Sequence, residues 1–136
     1  MNNITAREQT RVRIHQLEDK LKEMEQIDFK VVHHHAPGLY GRELFIPAGA
    51  MLVGKIHKQA HLTTLLEGTL SVTSEFGSDE LTGPHTWLEQ AGTKKAGYAQ
   101  TDCRIINWHP TDETDVDKIE SEVITPDYSN LLEDIK

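Results

Sequence analysis

The chain has 136 residues, 37% hydrophobic and 26% charged, and a formal net charge of −8. That suits one compact domain with a modest core and is too short for two ordinary ones. No stretch approaches the roughly 18 apolar residues of a membrane-spanning helix, and no basic stripe is available for phosphates, so neither membrane insertion nor direct nucleic-acid binding is expected.

The first residues, Met1-Asn2-Asn3-Ile4-Thr5, lack the apolar run of a signal peptide. The single cysteine, Cys103, has no partner for an internal disulfide, and a reducing, cytoplasmic setting is the natural reading. Cys103 itself reads as a small buried hydrophobe in a strand over 102–108. Charge is unevenly placed: residues 111–136 carry nine acids against two lysines, a net −7, so the remainder is nearly neutral.

Residues 1–28 read as a helical segment. Thr5 and Glu8 form a capping box, and the spacing predicts a helix over 5–27. Ile14, Leu17, Leu21 and Met24 are spaced three, four and three, the seam of a two-stranded coil. With Ile14 at an a position, Arg13 and Lys20 of one copy would face Glu18 and Glu25 of another. Two heptads are too few for an isolated coil, so the stripe needs tertiary support. It serves either self-association into a homo-oligomer or packing on its own domain.

Residues 29–110 are strand-like. Short apolar or β-branched runs at 43–46, 51–56, 62–66, 70–74 and 104–108 alternate with turn signals at Pro37-Gly38, Pro47-Ala48-Gly49, Glu67-Gly68, Phe76-Gly77-Ser78-Asp79, Gly83-Pro84 and Ala91-Gly92. Many short strands at such spacing predict an antiparallel sandwich or barrel. His33-His34-His35 reads as an exposed edge strand with His33 and His35 on one face and His34 on the other. Tyr40 and Arg42 also share a face and are ligand-binding candidates, with Glu43 able to pair with a lysine. Trp87, Tyr98 and Trp108 read as core.

Residues 111–136 form an acidic tail. Its first part, 111–122, has few large apolar residues and is expected at the surface or mobile. Its end gathers Tyr128, Leu131, Leu132 and Ile135, which either tuck onto a subunit or dock a protein partner.

The stretch Pro47-Ala48-Gly49, Gly54-Lys55-Ile56-His57-Lys58-Gln59-Ala60-His61 and Glu67-Gly68 resembles the first cupin motif, in which two histidines and a glutamate bind a metal before a glycine turn. Counted back from Gly68, His57 takes the place of the second family histidine, His61 that of the glutamate, and Lys55 that of the first histidine. Gln90-Ala91-Gly92-Thr93-Lys94-Lys95 is similar to the second motif, with Lys95 where the last histidine would stand. The ordered set His33-His34-His35, Tyr40-Gly41-Arg42-Glu43, Pro84-His85-Thr86-Trp87 and Ala91-Gly92-Thr93-Lys94 also looks like small cupins of tailed phages and prophages. That likeness spans about 33–110.

The resemblance implies an all-β fold: a cupin jelly-roll β-barrel behind an N-terminal α-helix and before an acidic C-terminal tail. On a straight strand His57 and His61 would stand ~13 Å apart, so a shared metal requires the chain to turn at Lys58-Gln59-Ala60. If it turns, the pair could hold Zn²⁺, Ni²⁺, Fe²⁺ or Mn²⁺, with water, His85 or His109 supplying further ligands. The alternative is a wet, metal-free histidine pocket. Lys55 and Lys95 are ligand-binding candidates as cations.

Three functions follow. The first is an oligomeric accessory or structural protein of phage type, in the host cytoplasm or on a virion. The second is a metal-dependent dioxygenase, isomerase or lyase acting on a small polar molecule, in which Lys95 or Lys55 neutralises an oxyanion. The third is a module that binds a small anion.

Overall fold

The computed structural model describes residues 5–125. The apolar end at 128–135 lies outside the described residues. The chain opens with α1 (Ala6–Glu23) and continues through β1 (Lys30–Ala36), β2 (Leu39–Ile46), β3 (Met51–Val53), β4 (Ile56–His57) and β5 (His61–Glu67). Next come β6 (Thr69–Ser74), β7 (Gly77–Thr82), β8 (His85–Glu89), β9 (Lys95–Ala99) and β10 (Cys103–His109), then α2 (Val116–Val123) and β11 (Ile124–Thr125).

The strands form a five-stranded sheet, β1-β2-β10-β5-β8, a four-stranded sheet, β3-β9-β6-β7, and the small pair β11-β4. Every pairing among the described residues is antiparallel. The two larger sheets share one core of Leu44, Ile46, Leu65, Leu70, Ala99, Cys103 and Ile105, with Trp87 packed against it. No helix interrupts 29–110, as the alternation of short runs and turns predicts. Cys103 is 2% exposed and burial pushes its thiol upward, so it behaves as the small hydrophobe expected.

Gly68 carries the chain from one sheet to the other with φ +94°, and a Cβ there would overlap the Asp102 carbonyl oxygen. Gly41 lies under the Trp108 ring, where a Cβ would sit 2.5 Å from the indole. Trp108 therefore packs on the outer face of the sheet, its Nε1–H donating to Thr64 Oγ1 at 3.3 Å. Tyr98, read as core, is 42% exposed on the other sheet.

Several sequence expectations change. The helix begins at its Thr5 cap, whose hydroxyl accepts from the Glu8 N–H, but it ends at Glu23. Gln26 Nε2 donates to the carbonyls of Leu21 and Met24, which offers the last turn an end in place of further helix. Met24 thus leaves the stripe and is 62% exposed. The stripe packs on its own barrel: Ile14 is 3% exposed, and α1 lies against β3 and β6. Glu18, assigned to a neighbouring copy in the coil reading, pairs at 2.7 Å with the buried Lys94 of its own barrel.

Residues 77–79, read as part of a turn, belong to β7, a polar edge strand without the apolar alternation that marks strands. Glu43 is buried between Arg104 (2.6 Å) and His34 (2.8 Å) and pairs with no lysine among the described residues. Finally, residues 116–123 are helical. Asp115 caps α2 by accepting from the N–H groups of Asp117 and Lys118, and Ile119 is 1% exposed, so this part of the tail is neither loose nor wholly superficial.

Because Ile14 anchors α1 by burial, Ile14→Ala is expected to lower the unfolding free energy by about 2–5 kcal/mol. Urea denaturation followed by circular dichroism measures it; a loss below ~0.5 kcal/mol would mean the helix is not docked.

Candidate metal centre

His57 ends β4 and His61 opens β5, and the residues between them reverse the chain. The reversal brings the two rings to a centroid separation of 4.2 Å. His109, at the end of β10, joins them at 4.7 Å from His61 and 5.1 Å from His57. One ring nitrogen from each of the three lies within 4.8 Å of the others. Of the three, His57 and His109 line a cavity of about 470 Å³ bordered by both sheets and by α2 and β11.

Secondary structure holds each ring in place. Ile124 of β11 pairs with His57, and the Lys58 N–H donates to the Val123 carbonyl at 2.7 Å, so the segment after the barrel closes over this corner. His61 stands opposite Glu89 in the β5–β8 ladder. A neutral His61 ring donates to one of two acceptors, through Nδ1–H to the Gln59 carbonyl at 3.4 Å or through Nε2–H to Asn107 Oδ1 at 3.2 Å, an oxygen that accepts from Thr63 Oγ1. His109 stands opposite Tyr40 in the β10–β2 ladder, their rings stacked at 6.2 Å.

Burial is the main electrostatic influence. It lowers the pKa of His57 to about 3, assisted by the neighbouring His61, His109, Lys95 and Arg42. It lowers His109 to about 4, with His61 and Arg42 adding to the effect. His61 is also lowered by burial, against the pull of Asn107, the Gln59 carbonyl and Glu89. All three imidazoles are neutral at pH 7 and each offers a lone pair.

The donor set fits a transition metal. Three neutral imidazoles suit Zn, Ni or Fe, and in the Nδ1–H tautomer the Gln59 carbonyl gives His61 the backbone support usual for a ligating ring. Metal–nitrogen distances near ~2.0 Å place tetrahedral donors about 3.3 Å apart. Small rotations of the rings therefore close the set.

Of the other sequence candidates, His85 stacks on Trp87 at 5.5 Å, is exposed, and lies outside the cluster. Lys95 is held by Glu89, which also accepts from Trp87 Nε1 at 2.8 Å, so its charge is balanced within the barrel. Lys55 is exposed at the cavity rim. Tyr40 is 2% exposed and its hydroxyl meets His33 Nδ1 at 2.6 Å, while Arg42 faces the cavity. His33 and His35 contact Tyr40 and His34 contacts Glu43, the division of faces that strand alternation requires. Asn107 and Glu89 were missed as site residues. Asn107 was within reach of sequence reasoning, since Ile105, Asn107 and His109 alternate along one strand and share a face.

The pH dependence follows from these shifts. A free imidazole titrates near ~6.5, so the unfolded chain takes up protons before the folded one as pH falls. The stability carried by neutral burial is complete above about pH 6.5 and drains as pH drops toward 4 and then 3. Metal-free protein should lose about 1.4 kcal/mol per pH unit for each of His57 and His109 between pH 6 and 4.5, measured by urea unfolding. A His57→Phe variant should lose correspondingly less; an identical slope would show that His57 is solvated.

No protein-family model and no curated protein sequence matches the chain. Solved structures do match in shape. A mutant of Bacillus subtilis oxalate decarboxylase aligns with a TM-score of 0.57 at 14% identity, over 76% of this chain and 29% of that one. KdgF from Halomonas sp. aligns at 0.50 and 17%, over 66% and 89%. A cupin superfamily protein from Desulfitobacterium hafniense aligns at 0.50 and 11%, over 68% and 87%. Such likeness at low identity speaks to architecture, and together with the sheet order and the enclosed histidine corner it makes this fold a cupin jelly roll.

Proposed function

We propose that the protein is a metal-dependent cupin that takes a small molecule into its barrel, with His57, His61 and His109 holding one Zn²⁺, Ni²⁺ or Fe²⁺. The observation that carries this reading is the convergence of three neutral imidazoles, two of which, His57 and His109, line a cavity between the sheets. A metal held there supplies Lewis-acid polarisation of a bound oxygen. The chain's own residues do the rest. The apolar walls exclude water, Asn107 and the Gln59 carbonyl orient His61, and Arg42 and Lys55 bring positive charge to the space beside the cluster. Mn²⁺ fits less well, since it prefers carboxylate and water ligands, and Glu89 is engaged by Lys95 and Trp87.

The activity classes open to such a site remain the dioxygenase, isomerase or lyase of the sequence reading. Lys95 is not free to neutralise an oxyanion, and Arg42 takes that role in its place. The oligomeric accessory reading drew its main support from the α1 stripe, and α1 commits Ile14 and Glu18 to its own barrel.

Protein purified without an affinity tag should retain close to one equivalent of divalent metal, measured by plasma mass spectrometry. His57→Ala, His61→Ala and His109→Ala should each weaken binding by more than the roughly 10–100-fold that loss of a supporting contact costs. His85→Ala should leave metal content unchanged. Retention by the His57→Ala/His61→Ala double variant would reject the site.

A further inference from the structure

The inner face of the β2–β10 ladder grades from polar to apolar in register. Its cross-strand pairs run Tyr40 with His109, Arg42 with Asn107, Leu44 with Ile105, and Ile46 with Cys103. The first pair lies level with the histidine cluster, the second is cationic and amide, and the last two are hydrocarbon and thiol. Each step along a strand to the next inward residue advances about 7 Å. A molecule lying along this ladder therefore meets the cluster, then a guanidinium, then apolar wall. Leu52, Leu70 and Val72 of the facing sheet complete that wall.

Arg42 is the unusual member. Among the described residues it makes no hydrogen bond or ion pair, although it is half-buried and its positive field reaches Tyr40, His57 and His109. A guanidinium partly removed from water is costly without a partner, and its fork matches a carboxylate. Asp28 and Glu120 also line the cavity without bridging to Arg42. Their negative charge opposes a dianion and leaves room for a monoanion.

We infer that the cavity binds a monocarboxylate with a hydrocarbon body. The carboxylate lies between Arg42 and the histidine cluster, and the body points down the Leu44–Ile105 and Ile46–Cys103 steps. The inference deepens the metal-site reading and rests on it for the placement of the head group, while the contribution of Arg42 and the apolar wall is measurable without metal.

The test is calorimetric titration of the full chain, both chelator-treated and Zn²⁺-loaded, with butanoate, hexanoate, octanoate and octanol. Affinity should rise roughly 4-fold per added methylene until the wall is filled, and octanoate should bind more tightly than octanol. Arg42→Met should weaken octanoate about 10–100-fold and leave octanol unchanged. A flat chain-length series, equal binding of octanol and octanoate, or an indifferent Arg42→Met would each overturn the inference. Should that variant fail to fold, the two comparisons on the unaltered protein still decide. Metal retention without carboxylate binding would reject this inference alone. Carboxylate binding by protein that neither retains metal on purification nor takes up added Zn²⁺ would reject the metal reading and keep the ligand class.

Discussion

Desolvation of three imidazoles at one corner of the barrel is the constraint on which the rest of the site depends. An imidazole kept from water resists protonation, and three of them side by side resist it more strongly, since a charge on one penalises the others. The same neutrality that suits them to a metal makes them a liability in acid. The burial is assembled from distant parts of the chain. β4, β5 and β10 each bring one ring, and α2 and β11 close over them from beyond the barrel.

The β2–β10 register gives that corner its direction. A slip of one residue would turn Arg42 and Asn107 outward and bring Glu43 and Trp108 in. Outer-face contacts oppose such a slip. Trp108 lies flat on Gly41, where no side chain could stand, and Glu43 is clamped between Arg104 and His34. Arg104 and His34 hold the Glu43 carboxyl below its usual range although burial opposes them. A buried carboxylate with two cationic or protonatable partners acts here as a register pin as much as a source of stability.

The second sheet is served differently. Its outer face receives α1, with Ile14 as the apolar anchor and Lys94–Glu18 and Arg11–Glu75 as flanking pairs. With Lys94 and Glu75 buried, the attraction in each pair is largely offset by the cost of taking its charges out of water. Their effect is to orient a helix whose binding energy comes from burial. The helix is thereby a cover for the barrel, and Glu18, which in sequence looks complementary to a second copy, finds its partner Lys94 at home.

By itself the sequence determined what local chemistry can state. It set the start of α1 at Thr5, the strand rhythm, the glycine turn at Gly68 and the faces of His33–His35. These depend on neighbours a few residues apart, where spacing, backbone freedom and alternation act directly. The tertiary structure alone decided the rest. It chose His109 over His85 as the third ring, because only strand order brings the end of β10 beside β5. It withdrew Lys95 by giving it Glu89, turned a polar segment into β7 by pairing it with β6, and drew Ile119 out of an acidic stretch to close the cavity. In each case the deciding partner lies on another strand or beyond a loop. Its contribution is burial or charge at a distance that the linear order of residues does not encode.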